Sequence, residues 1–209
     1  MRVDIWSDIV CPWCYVGKRR FETALASFEA EAVEVVHHSF QLNPAAPRDS
    51  TADRRQMLMQ KYHLTAARVD ELDAQMTQLA AEEGLQYRLD GTVTGNTLDA
   101  HQLVHLAHES GRQDAMVERL YRAYFTENRS VFDQASLVEL AHEVGVERDS
   151  ARAALTEGRY VPAVQEDIEM ARRIGITGVP FFVIDSRYGI SGAQSSATFI
   201  EALTSATIR

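Results

Sequence analysis

Four residues near the start of the chain, Cys11-Pro12-Trp13-Cys14, contain both cysteines of a 209-residue sequence and follow a short apolar segment. Two intervening residues bring both sulfurs to the first turn of a helix, where the missing N–H of Pro12 does no harm. The unpaired N–H groups and the dipole of a helix N-terminus stabilise an anion, so we expect Cys11 to be the attacking thiolate. Cys14 lies one turn further in and is expected to resolve a mixed disulfide formed on Cys11. The motif therefore predicts thiol–disulfide chemistry.

A structural disulfide and a zinc site are the two alternatives to redox chemistry for the cysteine pair. A structural disulfide that closes so short a loop adds little stability, and a chain of this size can build a core without one. A zinc site would need two more ligands, and the nearest donors, His37 and His38, are adjacent on a predicted strand and point to opposite faces. Redox exchange is the favoured interpretation.

Composition narrows the class of protein. The chain has a mass of 23.4 kDa and 45% hydrophobic residues, which suits one large globular domain or a domain with a sizeable insertion. A net charge of -9 without a basic cluster repels phosphate backbones and argues against nucleic acid as a partner. Acidic residues interrupt the apolar N-terminal stretch, so neither a signal peptide nor a membrane span is predicted and a cytoplasmic location is expected. In a reducing compartment a Cys-x-x-Cys pair is more often catalytic or redox-sensing than structural.

The order of predicted elements indicates a split α/β domain. Strands over residues 2–6 and 33–40 flank a helix, and a second α-β-β-α run follows Pro162. The part between them shows helical periodicity only. We therefore predict a thioredoxin-like domain from residues 1–47 and 160–209, with an all-helical insertion at 48–159.

Four segments carry a resemblance to a known family. The sequence resembles the DsbA-like thioredoxin-fold oxidoreductases with a helical insertion, and within them the FrnE-type members, which are related to 2-hydroxychromene-2-carboxylate isomerase and kappa-class glutathione transferase. The resemblance spans essentially the whole chain. It rests on Val3-Asp4-Ile5-Trp6-Ser7-Asp8-Ile9-Val10-Cys11-Pro12-Trp13-Cys14-Tyr15-Val16-Gly17-Lys18, on Asn96-Thr97 with Ala100-His101, on Thr177-Gly178-Val179-Pro180-Phe181-Phe182, and on Ser191-Gly192-Ala193-Gln194.

The resemblance implies roles around the cysteines. Pro12 and Trp13 would tune the reduction potential, and Trp13 could either face the substrate or simply pack. Val179 and Pro180 look like the cis-proline loop, in which the residue before the proline offers backbone hydrogen bonds to an extended substrate. An ordinary trans proline that opens an edge strand is the alternative.

Other candidate residues lie further from the motif. Gln194 and Ser195 precede the last predicted helix, whose N-terminus suits a carboxylate such as that of glutathione, although Ser195 could serve only as a helix cap. We expect His101 to border the cleft between the helical insertion and the thioredoxin-like domain, where its imidazole could assist Cys11.

Thioredoxin-like sites often carry a buried acid behind the disulfide that moves protons. Asp4 and Asp8 are the candidates here, although neither lies at the sequence position that this acid usually occupies.

No metal is predicted. His101, His105 and His108 fall at i, i+4 and i+7 on one predicted helix, a spacing that can gather imidazoles. Gln102, however, occupies the place where a His-Glu-x-x-His zinc hydrolase needs its glutamate, so a polar helix face is the better interpretation.

The function that follows is a thiol–disulfide oxidoreductase acting on protein or small-molecule disulfides, with no resident cofactor and with glutathione as an optional co-substrate. A homodimer is compatible with the sequence. One alternative is a glutathione-dependent isomerase or transferase for a small aromatic or polyketide-like compound. Another is a chaperone-like binding module whose cysteines only sense the redox state.

Overall fold

The computed structural model of this chain describes residues 1–29, 32–49 and 51–208 and divides them into two compact units. The first unit comprises Met1–Leu42 and Pro162–Arg209, and the second comprises Asn43–Val161. The sequence placed these boundaries at 47/48 and 159/160. In chain order, the elements are β1 (Arg2–Ser7), α1 (Pro12–Ala26), β2 (Glu34–Ser39), β3 (Ala52–Asp53), α2 (Arg54–Tyr62), α3 (Ala66–Glu82), β4 (Val93–Thr94), α4 (Leu98–Glu109), α5 (Gln113–Phe125), α6 (Gln134–Glu143), α7 (Arg148–Glu157), α8 (Val161–Arg173), β5 (Phe181–Ile184), β6 (Tyr188–Ser191) and α9 (Ser196–Thr207).

The first unit is built on a mixed sheet with the strand order β2-β1-β5-β6. β1 pairs with β2 in parallel, which requires the crossover that α1 supplies. β5 runs antiparallel to β1 and forms the predicted hairpin with β6. In this register Trp6 pairs with Phe181, so the end of β1, which leads to the cysteines, lies beside the start of β5.

The two faces of this sheet bury different residues. Because neighbouring residues of a strand point to opposite faces, Val3 and Ile5 share one face of β1, whereas Asp4 and Trp6 share the other. On the second face Trp6 packs with Ala171 of α8 and with Ile176, three residues beyond the end of that helix. The first face packs against α1 and α9 through Val3, Ile5, Phe21, Ala24, Phe182, Ile184, Ile190, Phe199, Leu203 and Ala206.

The second unit is helical, as the periodicity predicts, with one addition. β3 and β4 form a short antiparallel ladder in which Ala52 pairs with Thr94. Two residues per strand are too few for the alternating pattern that announces a strand in sequence. Side-chain caps begin three of the helices: Asp53 accepts from Gln56 N–H before α2, Thr65 from Arg68 N–H before α3, and Asp133 from Ser136 N–H before α6.

Within the described ranges, the helices are all too short or too polar to cross a lipid bilayer.

Candidate active site

The cysteine pair lies where β1 turns into α1. Cys11 occupies the N-cap position of α1 in an extended conformation, and Pro12 begins the helix. The turn is closed by the N–H of Cys11, which donates to Asp8 O at 3.1 Å, and by the N–H of Cys14, which donates to Cys11 O at 3.0 Å. Both cysteines are free thiols, and their exposed fractions are only 5% and 2%. The pair is therefore placed one turn apart at a helix N-terminus, with Cys14 the more enclosed.

The loop before β5 contacts the first of these thiols. The Val179–Pro180 peptide bond is cis. The Cys11 thiol donates to the carbonyl oxygen of Val179, with 3.6 Å between Sγ and O. Pro180 is buried, and its own carbonyl accepts the N–H of Gly192 at 2.8 Å. The loop before β5 thus contacts Cys11 and is itself hydrogen-bonded to the residue that follows β6.

Burial strongly affects the second thiol. It raises the pKa of Cys14 well above the ordinary value, and the neighbouring Cys11 raises it further. A hydrogen bond with the backbone of Asp8 lowers this pKa, whereas the negative charge of Asp8 raises it. Asp8 is itself 1% exposed, and its Oδ2 accepts the N–H of Leu42 at 2.8 Å. The Asp8 carboxylate is therefore buried and hydrogen-bonded rather than exposed to solvent.

The two residues between the cysteines differ in exposure. Trp13 is 44% exposed, whereas Pro12 is half-buried at the first position of the helix. An exposed indole next in sequence to a free thiol offers apolar surface to an incoming group. The effect of Pro12 and Trp13 on the reduction potential stays a prediction.

The loop before α9 uses its polar groups locally. Ser195 caps α9, and its hydroxyl accepts the N–H of Thr198 at 3.2 Å. The amide of Gln194 donates to Ser191 O at 2.8 Å. Carboxylate binding by Gln194 and Ser195 stays a prediction.

His101 lies in the second unit. It belongs to α4 and is 2% exposed, and its backbone N–H donates to Thr97 O at 3.0 Å. Its predicted contribution to Cys11 reactivity stays a prediction.

A buried ion cluster occupies the second face of the sheet, and the sequence did not predict it. The ring of His38 bridges two carboxylates, with Nε2 2.7 Å from Asp4 Oδ1 and Nδ1 2.6 Å from Asp167 Oδ1. The Trp6 ring stacks on His38 at 4.4 Å, and its N–H donates to Asp167 O at 3.1 Å. The second Asp167 oxygen accepts the N–H of Ser39 at 2.8 Å. We call His38, Asp4 and Asp167 the His38 cluster; it joins β1, β2 and α8.

A protonated His38 ring donates one hydrogen bond to each of the two carboxylates. Burial alone would lower the pKa of His38, but the hydrogen bonds to Asp167 and Asp4 outweigh it and raise the pKa to about 9. The hydrogen bonds from His38 and Arg2 lower the pKa of Asp4 against its own burial. Asp4 is thus a member of an ion cluster. Asp167 was the one sequence feature that could have indicated the cluster. It is an acid at the same helical spacing as Val164 and Ala171, on a stripe that is otherwise apolar.

Comparisons with known proteins agree with this fold. A family model described as a DSBA-like thioredoxin domain matches residues 2–204. A probable DsbA oxidoreductase from Streptomyces coelicolor is 46% identical, with a TM-score of 0.96 over 100% of this chain and 91% of that one. Two more distant structures share the fold. A 2-hydroxychromene-2-carboxylate isomerase is 16% identical, with a TM-score of 0.73 over 99% of this chain and 94% of that one. The cytosolic disulfide reductase DsbM from Pseudomonas aeruginosa, solved with GSH, is 18% identical, with a TM-score of 0.67 over 98% of each chain.

Proposed function

This chain belongs to the DSBA-like thioredoxin domain family, and we propose that it catalyses thiol–disulfide exchange through Cys11 and Cys14. One observation carries the proposal. Two free thiols lie one turn apart at the N-terminus of α1, and the Cys11 thiol contacts the carbonyl oxygen of Val179 at 3.6 Å. A carbonyl at this place can also accept an N–H of an extended substrate beside the reacting sulfur.

The proposed reduction of a disulfide has two steps. The Cys11 thiolate attacks one substrate sulfur, an S–S bond forms to Cys11, and the other substrate sulfur leaves as a thiolate. The Cys14 thiolate then attacks Cys11, which forms the intramolecular disulfide and releases the second substrate thiolate. Two molecules of an external thiol such as glutathione return the pair to the dithiol: the first forms a mixed disulfide with one cysteine, and the second attacks it and leaves with the first as the external disulfide. The same steps in reverse oxidise a substrate dithiol.

The second step needs a proton acceptor for Cys14. A thiol with a raised pKa at 2% exposure has little access to water. We infer that the Asp8 carboxylate accepts this proton, because it is buried and close enough for its charge to act on Cys14. Asp4 is less suited, since its Oδ1 is bound to His38 and Arg2.

The Asp8 role has its own test. In an Asp8→Asn variant, we expect the mixed disulfide on Cys11 to persist longer at pH 7, because the Cys14 proton has lost its acceptor. Quenched-flow mass spectrometry would follow the adduct. The slowing should diminish as the pH rises and hydroxide takes over the proton. Resolution at the wild-type rate across this range would remove Asp8 from the mechanism.

The primary experiment is the reduction potential of the cysteine pair. The protein is equilibrated in glutathione buffers and its thiol content is followed by mass spectrometry. A two-electron transition between roughly -270 and -120 mV would support a dithiol oxidoreductase. A Cys14→Ser variant should trap the substrate as a mixed disulfide, and a Cys11→Ser variant should form none.

Two results would contradict the proposal. If the Cys14→Ser variant kept full activity with glutathione, a glutathione-dependent isomerase or transferase would be the better function. If the double serine variant suppressed aggregation of a client protein as well as the wild type did, and the wild-type pair did not turn over, a redox-sensing binding module would replace the enzyme.

A further inference from the structure

A glycine stands in the middle of the helix that carries the cysteines. Gly17 is buried in α1, one turn beyond Trp13. Glycine is the poorest helix former apart from proline. A glycine in a helix interior therefore usually has a packing or functional reason.

The packing around Gly17 supplies this reason. A Cβ atom added at Gly17 would lie 3.0 Å from Cγ of Pro180 and 3.4 Å from Cβ of Ala193. The first distance is shorter than ordinary carbon–carbon contact. Helix α1 therefore approaches Pro180 as closely as it does only because position 17 has no side chain.

Hydrogen bonds limit how Pro180 and Ala193 could make room. Gly192 N–H donates to Pro180 O at 2.8 Å, which ties the two loops together. The Arg20 guanidinium donates to Ala193 O at 2.8 Å, which ties the same loop to α1. Ser196 adds a third link, since its hydroxyl donates to Arg20 O at 2.9 Å. A larger residue at position 17 would have to shift Pro180 against these bonds.

We propose that Gly17 is a positioning residue that sets the distance between the carbonyl oxygen of Val179 and the sulfur of Cys11. Val179 is bonded directly to Pro180, so a shift of the proline ring moves the carbonyl that accepts the Cys11 S–H bond. While the Cys11 thiol is held in this hydrogen bond its sulfur is less available to react, so displacement of the carbonyl leaves Cys11 more reactive. The inference rests on the proposed function only in taking Cys11 as the reactive thiol.

The test measures Cys11 directly instead of turnover. The rate of alkylation by iodoacetamide at pH 7 would be followed by mass spectrometry, with the modified cysteine located by peptide mapping. For Gly17→Ala we expect an increase of about threefold, the size of a weak hydrogen bond lost. The matched control is Gly178→Ala, in the loop that contains Val179 and Pro180, because a Cβ added there meets nothing within 4 Å. It should react at the wild-type rate.

A rescue variant separates positioning from a general loss of packing. In the double variant Gly17→Ala/Ala193→Gly, loss of the Ala193 methyl group leaves space beside position 17. The helix can shift into this space, so that the added methyl group presses less on Pro180. Alkylation should therefore return toward the wild-type rate. The double variant also stands in for the single one if Gly17→Ala fails to fold. Urea unfolding of each variant records stability separately, since a purely structural role would lower the unfolding midpoint and leave native-state alkylation unchanged.

The outcomes are distinct. An increase in Gly17→Ala that is absent from Gly178→Ala and reduced in the double variant supports the inference. An unchanged rate in Gly17→Ala, or an equal change in Gly17→Ala and Gly178→Ala, overturns it. If only the double variant folds, it is compared with Ala193→Gly alone: because the added methyl group still meets Pro180, faster alkylation in the double variant supports the inference, and equal rates overturn it. The proposed function fails separately, if the wild-type cysteines show no dithiol–disulfide transition.

Discussion

The His38 cluster makes folding stability depend on pH in a defined direction. The folded-state pKa of His38 is about 9, above the ordinary value of 6.5, because the ring lies between Asp167 and Asp4. A group whose pKa is raised on folding stabilises the folded state fully below its unfolded pKa. That stabilisation is lost as the pH rises through the folded pKa. The loss is therefore expected between pH 6.5 and 9.

The magnitude follows from the shift. At about 1.4 kcal/mol per pKa unit, a rise from 6.5 to about 9 is worth roughly 3 kcal/mol at low pH. Part of this is already lost at pH 7, which leaves about 2.5 kcal/mol to disappear by pH 10. The His38 side chain is only 10% exposed, so solvent screening removes little of it.

The assay compares the wild type with His38→Gln by urea unfolding between pH 6 and pH 10. Other groups also titrate in this range, but they do so in both proteins and cancel in the difference. At pH 7 the variant should be less stable by about 3 to 5 kcal/mol, because two buried carboxylates lose their shared cation. The gap between the two proteins should narrow by about 2.5 kcal/mol by pH 10.

A control and an independent measurement complete this test. His108 is exposed on α4, so His108→Gln should leave the pH profile unchanged. The NMR shift of the His38 ring should titrate with a midpoint near 9. A midpoint near 6.5, or a stability difference that does not change with pH, would refute the reasoning.

Three further predictions concern packing, charge and capping. Phe182 is fully buried between two aromatic rings, so Phe182→Ala should cost about 3 to 5 kcal/mol in the free energy of unfolding, measured by urea denaturation. Arg54 is buried in a bidentate pair that joins α2 to α3, so Arg54→Met should lower stability by about 2 kcal/mol, whereas Arg55→Met at the exposed neighbouring pair should cause no measurable change. Ser195→Ala should cost about 1 kcal/mol through the lost cap of α9; calorimetry with glutathione would show unchanged affinity if Ser195 only caps the helix.

Much of the fold could be predicted from local patterns. The strand and helix periods around the cysteines predicted the β-α-β start, and the hairpin after Pro180 was also predicted. The short ladder between β3 and β4 was missed, because two residues per strand carry no periodic signal. Asp4 and Asp8 could not be told apart in sequence, since both are acids near one strand. Only the packing separated them, with Asp4 in the His38 cluster and Asp8 buried at the turn that leads to Cys11.

The sequence by itself determined the pairing of the two cysteines, because they are neighbours along one helical turn and their proximity needs no other part of the chain. The tertiary structure alone decided what surrounds them. Val179 lies 168 residues from Cys11 along the chain, and Asp167 lies 129 residues from His38. Such contacts depend on strand register and helix packing, where a slip of one residue turns every side chain to the opposite face. Gly17 illustrates both levels, since its place in the helix is visible in sequence and its reason, the Pro180 ring, is visible only in the fold.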